Sequence, residues 1–518
     1  MTGKVIMVQG TASNAGKSIL VTALCRIFKN DGFRVAPFKA QNMSLNSFVT
    51  PDGGEIGRAQ AVQAEAAGVA PTVEMNPILL KPEANSRSQV VVRGRPTKST
   101  GAAEYYKLKS QLWPVVTEAL DTLRAEYDIV AIEGAGSPAE VNLSKDEIVN
   151  MRVARYCQAP VLLVGDIDRG GVFASLLGTL WLMTPEDLAL VKALVVNKFR
   201  GDPALFAPGI RFLKQKSGLP VAGVIPYFND IAIAQEDSVA LEQAGSNPAT
   251  FKIDIAVIRL PHISNFDDFD PLTREDCIRV RYVNSVKNLG HPDLIILPGS
   301  KTTVADLDWL RESGLAGIIT RQSQKGTFII GVCGGYQMLG RFIDDPGKVE
   351  SAVLRRPALG LLPITTAFLP TKETHQVKGE VISHRGLLAK TRGITFDGYE
   401  IHMGRTESDA HSTSSGRAGD AAFHLSERSG KPCDVSDGYL DASGRVLGTY
   451  VHGLFRDKHL RRSIFKQIAL SKGLRLTFKD NPQEDEYDKL ADLVRNSLDM
   501  KLIYKIVGLN KISRAPGA

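Results

Sequence analysis

Short apolar runs punctuate the first part of the chain at residues 5–8, 34–39, 129–132, 160–164, 193–196 and 221–225. Each is rich in β-branched residues and stops at a glycine or a polar residue, which is how a strand buried on both faces reads. Helical spacing fills the intervals. Leu20, Leu24, Ile27 and Phe28 fall on one face of a helix that should end near Asn30-Asp31-Gly32, and residues 58–67 form an alanine-rich helix closed by Gly68. Strands separated by helices predict a mostly parallel sheet. Residues 76–82 read as a proline-bounded segment. The rhythm fails between residues 230 and 251, where Glu236-Asp237-Ser238 and Gly245-Ser246-Asn247-Pro248 predict a linker. A second series begins at residues 253–258 and continues at 293–297, 327–330 and 446–451. Residues 406–420, full of Ser, Thr, Gly, Asp and Ala, predict a mobile surface loop. Leu490, Val494 and Leu498 recur at helical spacing and predict a packing helix. The pattern divides the chain into a first α/β domain (1–235), a linker (236–251), a second α/β domain (252–460) and a helical tail (461–518), with no solenoid repeat.

The chemistry gathers where strands end. The run at 327–330 leads into Gly331-Val332-Cys333-Gly334-Gly335-Tyr336-Gln337, and helical spacing resumes with Met338 and Leu339. A cysteine on a strand-to-helix turn, with glycines two residues before and after, follows the logic of the G-x-S-x-G elbow with sulfur in place of oxygen. The start of a helix beneath the sulfur favours thiolate. Such a nucleophile needs a base, and His452 is the best placed of nine histidines, because it too closes an apolar run and precedes a glycine. The glycine loop Pro298-Gly299-Ser300-Lys301 lies at another strand end. There the N–H of Gly299, with that of Gly334, could receive a developing oxyanion.

At the other end of the chain, the first strand runs into Gly10-Thr11-Ala12-Ser13-Asn14-Ala15-Gly16-Lys17-Ser18 and then a helix, the arrangement of a P-loop. Gly10, Thr11, Asn14 and Gly16 supply the loop, Lys17 reaches phosphates and Ser18 ligates magnesium. Five residues separate Gly10 from Gly16, where the usual motif has four, so the loop resembles the dethiobiotin synthetase type. Glu133 and Asp166, at the ends of later strands, are candidates for the magnesium shell. Asn197 stands where an adenine is often read. Gln41, Asn42, Ser44 and Asn46 make a polar cluster too dense for an ordinary turn.

Charge and cysteine usage narrow the classes. A net charge of +7 over 518 residues suits acidic substrates, but no basic stripe with interleaved aromatics argues for nucleic acid. The five cysteines are scattered and form no C-x-x-C pair, as expected of reduced thiols in a cytoplasmic protein. No membrane span and no signal peptide are read.

Several stretches together resemble the cobyric acid synthases, glutamine-dependent amidotransferases of cobalamin biosynthesis. They are the P-loop from Gln9-Gly10-Thr11 to Ser18, Phe38-Lys39-Ala40-Gln41-Asn42-Met43-Ser44-Leu45-Asn46, Asn76-Pro77-Ile78-Leu79-Leu80-Lys81-Pro82, Arg259-Leu260-Pro261-His262-Ile263-Ser264-Asn265-Phe266, Leu297-Pro298-Gly299-Ser300-Lys301, the Cys333 elbow, Tyr399-Glu400-Ile401-His402-Met403-Gly404 and Tyr450-Val451-His452-Gly453. The resemblance implies a P-loop synthetase domain of dethiobiotin-synthetase type followed by a class I glutamine amidotransferase-like domain. It also implies ATP and Mg2+ as cofactors, glutamine as nitrogen donor and a corrinoid polycarboxylate as acceptor, amidated at its b, d, e and g carboxylates. Cys333 would form the glutamyl thioester and His452 would move its proton. Gln41, Asn42, Ser44 and Asn46 are candidates to meet the corrin or the γ-phosphate. Ordinary triad glutaminases carry glutamate two residues after the histidine. Leu454 stands there, so the site is a dyad or takes its third member from elsewhere. Two rivals share part of the pattern. The synthase that makes the a,c-diamide should carry a Gly-Pro-Asp type sequence where this chain has Gln41-Asn42-Met43. A P-loop nucleotide switch would have no use for Cys333 or His452.

Overall fold

The computed structural model describes residues 2–83, 87–142, 147–234, 251–408, 421–479 and 485–509. The expected linker lies almost wholly outside the described residues, as do residues 409–420 of the expected surface loop.

The first domain is built on a six-stranded sheet, in the order Val221–Pro226, Val191–Phe199, Val161–Asp166, Lys4–Gly10, Ile129–Glu133, Val35–Phe38. Every neighbouring pair is parallel. Helix Lys17–Asn30 leaves the carboxyl end of the central strand, and its apolar face, Leu20, Leu24, Ile27 and Phe28, is wholly buried. Helix Arg58–Ala67 is buried on nearly every side, because alanine leaves room for close packing all round, and it ends on Gly68 in the left-handed conformation. The proline-bounded segment is a strand, Ile78–Glu83, inside a small four-stranded sheet that the apolar pattern did not signal. Its partner Gln41–Met43 is short and polar, its partner Arg87–Val92 is apolar only in its second half, and a lysine and a proline interrupt it.

The second domain repeats the plan. Its sheet runs Ile278–Val283, Ile253–Ile258, Leu294–Leu297, Phe328–Val332, Val446–Thr449, Tyr439–Leu440, parallel except for the last pair. A long antiparallel hairpin, Ile364–Val381 with Thr395–Ser408, covers its carboxyl end. Residues 406–408, read from sequence as loop, end the second strand of this hairpin and pair with residues 364–366. The Thr406 hydroxyl is hydrogen-bonded to those of Thr366 and Tyr450, both at 2.6 Å.

The tail is divided between the two domains. Helix Lys458–Ser471 buries Leu460, Ile464, Phe465 and Ile468 in the second core. Helices Glu486–Ser497 and Met500–Val507 return to the first domain, where Leu490, Val494, Leu498, Ile503 and Val507 join the core around the P-loop helix. Leu498 lies one residue past its helix but keeps the buried position that spacing assigned to it. Each such side chain contributes roughly 1.5–3 kcal/mol by burial. Arg26 of the P-loop helix adds ion pairs to Asp485 (2.5 Å) and Asp488 (2.7 Å).

The domains meet through buried polar contacts. Asn46 accepts from the Phe266 N–H (3.3 Å), and Asn265, at φ 53°, accepts from the Ser47 N–H (3.0 Å). Glu55 lies between Lys81 (2.6 Å) and Lys372. Burial would push its carboxyl up, but the two ammonium groups hold it well below the usual range. Lys301 bridges to Glu83 at 2.9 Å.

Candidate active site

The second sheet explains how residues distant in sequence converge. Four neighbouring parallel strands end in register: Leu297 is opposite Gly331, and Val332 is opposite Thr449. The loops that leave them carry Gly299, Cys333 and His452, and the loop after Ile253–Ile258 contributes a fourth group. This is the crevice at the carboxyl ends of strands where α/β proteins bind ligands.

Cys333 adopts φ 52°, ψ −109°, a conformation rarely taken by a side-chain-bearing residue, at the start of the short helix Gly334–Leu339. The flanking glycines make the turn possible. A Cβ on Gly335 would lie 1.9 Å from the Leu297 carbonyl oxygen, and one on Gly331 would lie 2.7 Å from that of Gly335. The Cys333 N–H is held by Thr449 O (2.8 Å), and Sγ lies 3.5 Å from Ile401 O. The thiol and His452 line one cavity of about 560 Å3, whose far wall is Lys81, Glu83 and Arg87 of the first domain.

His452 is buried and fixed on three sides. Its backbone pairs with Tyr399 (2.8 and 3.2 Å), and the Tyr399 ring stacks on the imidazole with centroids 5.0 Å apart. Its Nδ1 lies 2.6 Å from Asp268 Oδ2, while Asp268 Oδ1 accepts from the Gly453 N–H at 2.9 Å. Asp268 is the third member that the sequence left unnamed. It sits in the nine-residue 3-10 helix Phe266–Arg274, directly after a stretch that carries the family resemblance. The signal was a pair of acids, Asp267-Asp268, between Phe266 and Phe269. Acidic residues flanked by aromatics that must be buried need a partner. Burial alone would push His452 down, but the Asp268 carboxylate and the hydrogen-bonded Cys333 sulfur raise it to about 10. With Nδ1–H donated to Asp268, Nε2 is left for the sulfur.

Gly299 and Gly334 flank this pair. A Cβ on Gly299 would lie 3.2 Å from His452 Cε1, and one on Gly334 would lie 2.9 Å from the Ser300 nitrogen. Gly299–Ser300 pairs antiparallel with Ile263–Ser264, and Lys301 N–H donates to His262 O at 3.0 Å. The alternation of such a ladder gives the Gly299 N–H to Ser264 and turns the Ser300 N–H away, beside Gly334, so Ser300 replaces Gly299 as the donor expected from sequence. Gln337 is held by Thr303 (3.1 Å) and Tyr450 (3.3 Å), and His402 stacks on Tyr450 at 3.8 Å. His402 Nδ1 donates to Gly404 O, and burial pushes this imidazole down to about 4.

In the first domain the residues after Gly10 form an exposed crest, and the additional loop residue is accommodated by Asn14 at φ 59° and Gly16 at φ 101°. A Cβ on Gly16 would fall 1.9 Å from the Asn197 amide nitrogen, which donates to Ala15 O at 2.9 Å. Asn197 thus props the loop from below through its amide nitrogen. Lys17 Nζ donates to Ala12 O and Gly136 O, both at 3.0 Å. Ser18 Oγ donates to Glu133 Oε1 at 2.8 Å, and Glu133 also takes Lys39 (2.9 Å) and Gln63 (2.6 Å). Burial would raise Glu133, but Lys39 and these hydrogen bonds hold it below its ordinary value. A hydroxyl and an ionised carboxylate together fit a hard cation that keeps waters and phosphate oxygens as its other ligands. Asp166 is not brought to that pair; it is held by Lys198 at 2.8 Å. The polar cluster turns inward. Gln41 accepts from Tyr105 (2.5 Å), Asn42 donates to Gln60 (3.0 Å), Ser44 accepts from the Asn46 N–H (3.0 Å), and Asn46 serves the domain contact.

Comparison with known proteins agrees with both halves. The family model of a CobQ/CobB/MinD/ParA nucleotide binding domain matches residues 6–241, and that of a CobB/CobQ-like glutamine amidotransferase domain matches residues 254–460. A cobyric acid synthase of Dehalococcoides mccartyi is 53% identical over 507 residues, covering 97% of this chain and 98% of the relative. Those of Moorella thermoacetica (50% over 515 residues, 98% of each chain) and Sorangium cellulosum (49% over 530 residues, 99% of this chain and 100% of the relative) are similarly close. Among the described residues no helix is long and apolar enough to cross a membrane. About half of the sequence is shared along nearly the whole length, and a nucleotide-binding domain precedes an amidotransferase domain in the same order, so the chain belongs to the cobyric acid synthases, ATP- and glutamine-dependent carbon–nitrogen ligases.

Proposed function

We propose that the chain converts a corrinoid a,c-diamide to cobyric acid by amidating the b, d, e and g carboxylates, with nitrogen released from glutamine at Cys333. The observation that carries this reading is the line Asp268–His452–Cys333, opening into a cavity whose opposite wall belongs to the nucleotide-binding domain. His452 Nε2 takes the thiol proton, and the sulfur attacks the side-chain carbonyl carbon of glutamine. The N–H groups of Gly334 and Ser300 are the donors for the oxygen on which charge develops. His452 returns the proton to the departing nitrogen, so ammonia leaves and a glutamyl thioester remains on Cys333. Water, deprotonated by the same imidazole, then releases glutamate and restores the thiol. Asp268 keeps the proton on Nδ1 and stabilises the imidazolium between these steps.

ATP, when bound, would supply the phosphoryl group that activates an acceptor carboxylate as an acyl phosphate, from which attack by ammonia expels phosphate and leaves the amide. The loop from Gly10 to Gly16, with Asn14 at its crest, offers backbone to its phosphates, although the Thr11 N–H is taken by Val164 O (2.9 Å), and Lys17, now on two carbonyl oxygens, offers a cation that can turn to them. Ser18 and Glu133 would hold Mg2+. Asp166 has its charge answered by Lys198 and is a weaker ligand.

The test is incubation with the corrin diamide, glutamine and MgATP, with mass spectrometry to count the amide nitrogens added. Four support the reading; none or two redirect it. In Cys333→Ala the glutamine-supported reaction should vanish while the ammonium-supported reaction continues. Persistence of both would remove Cys333 from the mechanism.

A further inference from the structure

We propose that Arg58, a side chain of the nucleotide-binding domain, is a positioning residue of the glutaminase centre and makes glutamine hydrolysis depend on how that domain is seated. The inference rests on the glutaminase role given above to Cys333, His452 and Asp268.

The argument starts from crowded charge. The first turn of the 3-10 helix Phe266–Arg274 buries Asp267 and Asp268 side by side, and Asp270 close by is pushed up to about 7, first by burial and then by Asp267. Both oxygens of Asp268 are engaged, on His452 and on Gly453. Asp267 accepts no hydrogen bond; its charge is answered by Arg58 at 2.9 Å and by Arg456 at 3.5 Å. Arg58 is nearer and almost wholly buried, whereas Arg456 is more than a third exposed. A buried carboxylate that loses its buried cation must move toward water or another cation. Asp267 is the covalent neighbour of Asp268 on the same turn, so that movement rotates Asp268 off His452 Nδ1.

A second contact path leads to the same imidazole. The Arg58 guanidinium lies over the Phe48 ring at 5.3 Å, Phe48 packs on Tyr399 at 5.8 Å, and Tyr399 is the ring stacked on His452. Both paths begin in the first domain. Arg58 opens helix Arg58–Ala67, and that helix also carries Gln63, whose amide holds Glu133 Oε2 beside Ser18. One buried helix therefore touches the candidate magnesium ligands at one point and the support of Asp268 at another. A shift at Glu133 is carried along this helix to Asp267.

The experiment uses the full chain and compares glutamine with ammonium chloride as nitrogen source, in the presence of MgATP and the corrin diamide. For Arg58→Met the ammonium-supported rate should stay within about twofold of the parent, while the glutamine-supported kcat falls about tenfold or more at nearly unchanged glutamine KM. Arg58→Lys should recover part of that loss, and added guanidinium should restore Arg58→Ala but leave the parent unaffected. An equal fall with both nitrogen sources would reduce Arg58 to a folding role, and no fall with either would leave it without a role; each result overturns the inference. Cys333→Ala in the same assay separates the two layers. If that variant keeps glutamine turnover, the nucleophile has been misassigned; if it loses turnover while Arg58→Met does not, only the proposal for Arg58 fails.

Discussion

The smallest change with the largest expected consequence is at Asp268. Asp268→Asn keeps the shape but removes the anion that fixes the imidazole tautomer, so glutamine-supported turnover should fall by about 10²–10⁴-fold. Ammonium-supported amidation should be spared, and steady-state assays with both nitrogen donors read the difference. Two buried histidines should also titrate in opposite senses. His402 is held down to about 4 by burial, below its ordinary 6.5. Between those values the unfolded chain binds a proton that the folded chain refuses, so the stability from keeping His402 neutral is complete above 6.5 and lost as pH falls through 4. His452 is raised to about 10 from 6.5, so its contribution is complete below 6.5 and lost as pH rises through 10. Thermal melts across pH should show a loss on the acid side that His402→Gln relieves. The sequence made Cys333 and His452 legible because glycine-framed strand ends leave a local pattern. It hid Asp268, because nothing local says which of two adjacent acids faces a histidine 184 positions away.

At the scale of elements, the parallel strands were legible because strands buried on both faces are continuous apolar runs. The antiparallel pieces were not. The hairpin Ile364–Val381 with Thr395–Ser408 lies half in solvent and is filled with Thr, Lys, Glu and His, so its alternation is diluted. Gln41, Asn42, Ser44 and Asn46 stood out as a polar cluster that asked for a ligand, yet each has a partner within the protein. A dense polar segment can be satisfied by the fold itself. Helix Glu486–Ser497 was read correctly as packing, and its partner is the helix that carries Lys17 and Ser18. Leu490→Ala should destabilise the first domain by about 2–4 kcal/mol, measured as the urea midpoint, because the side chain is fully buried in that core.

For the whole molecule, the cavity between Cys333 and the first domain matters more than either domain alone. Its wall includes the bridge from Lys301 to Glu83, which ties a loop of the second sheet to the small sheet of the first domain. Both groups keep some contact with solvent, so Lys301→Met should cost about 1 kcal/mol or less. The same change opens the seam around the cavity. More glutamine should then be consumed for each amide formed, with free ammonium accumulating in the medium; paired assays of glutamate and corrin amide measure the ratio. Periodicity gave the two domains and their order. The surfaces that join them were not legible, because Asn46, Glu55 and Lys372 are polar side chains that only a docked partner can bury.

The return of the last two helices to the P-loop helix sets an order of assembly. The strand and helix that hold Lys17 leave the ribosome first, yet the side chains that complete their core, Leu490, Val494 and Ile503, are synthesised after the entire amidotransferase half. A nascent chain can therefore finish its sulfur-bearing half while its triphosphate-binding half still exposes an apolar groove. Chains that terminate early keep that groove open and are marked for capture by chaperones or proteases.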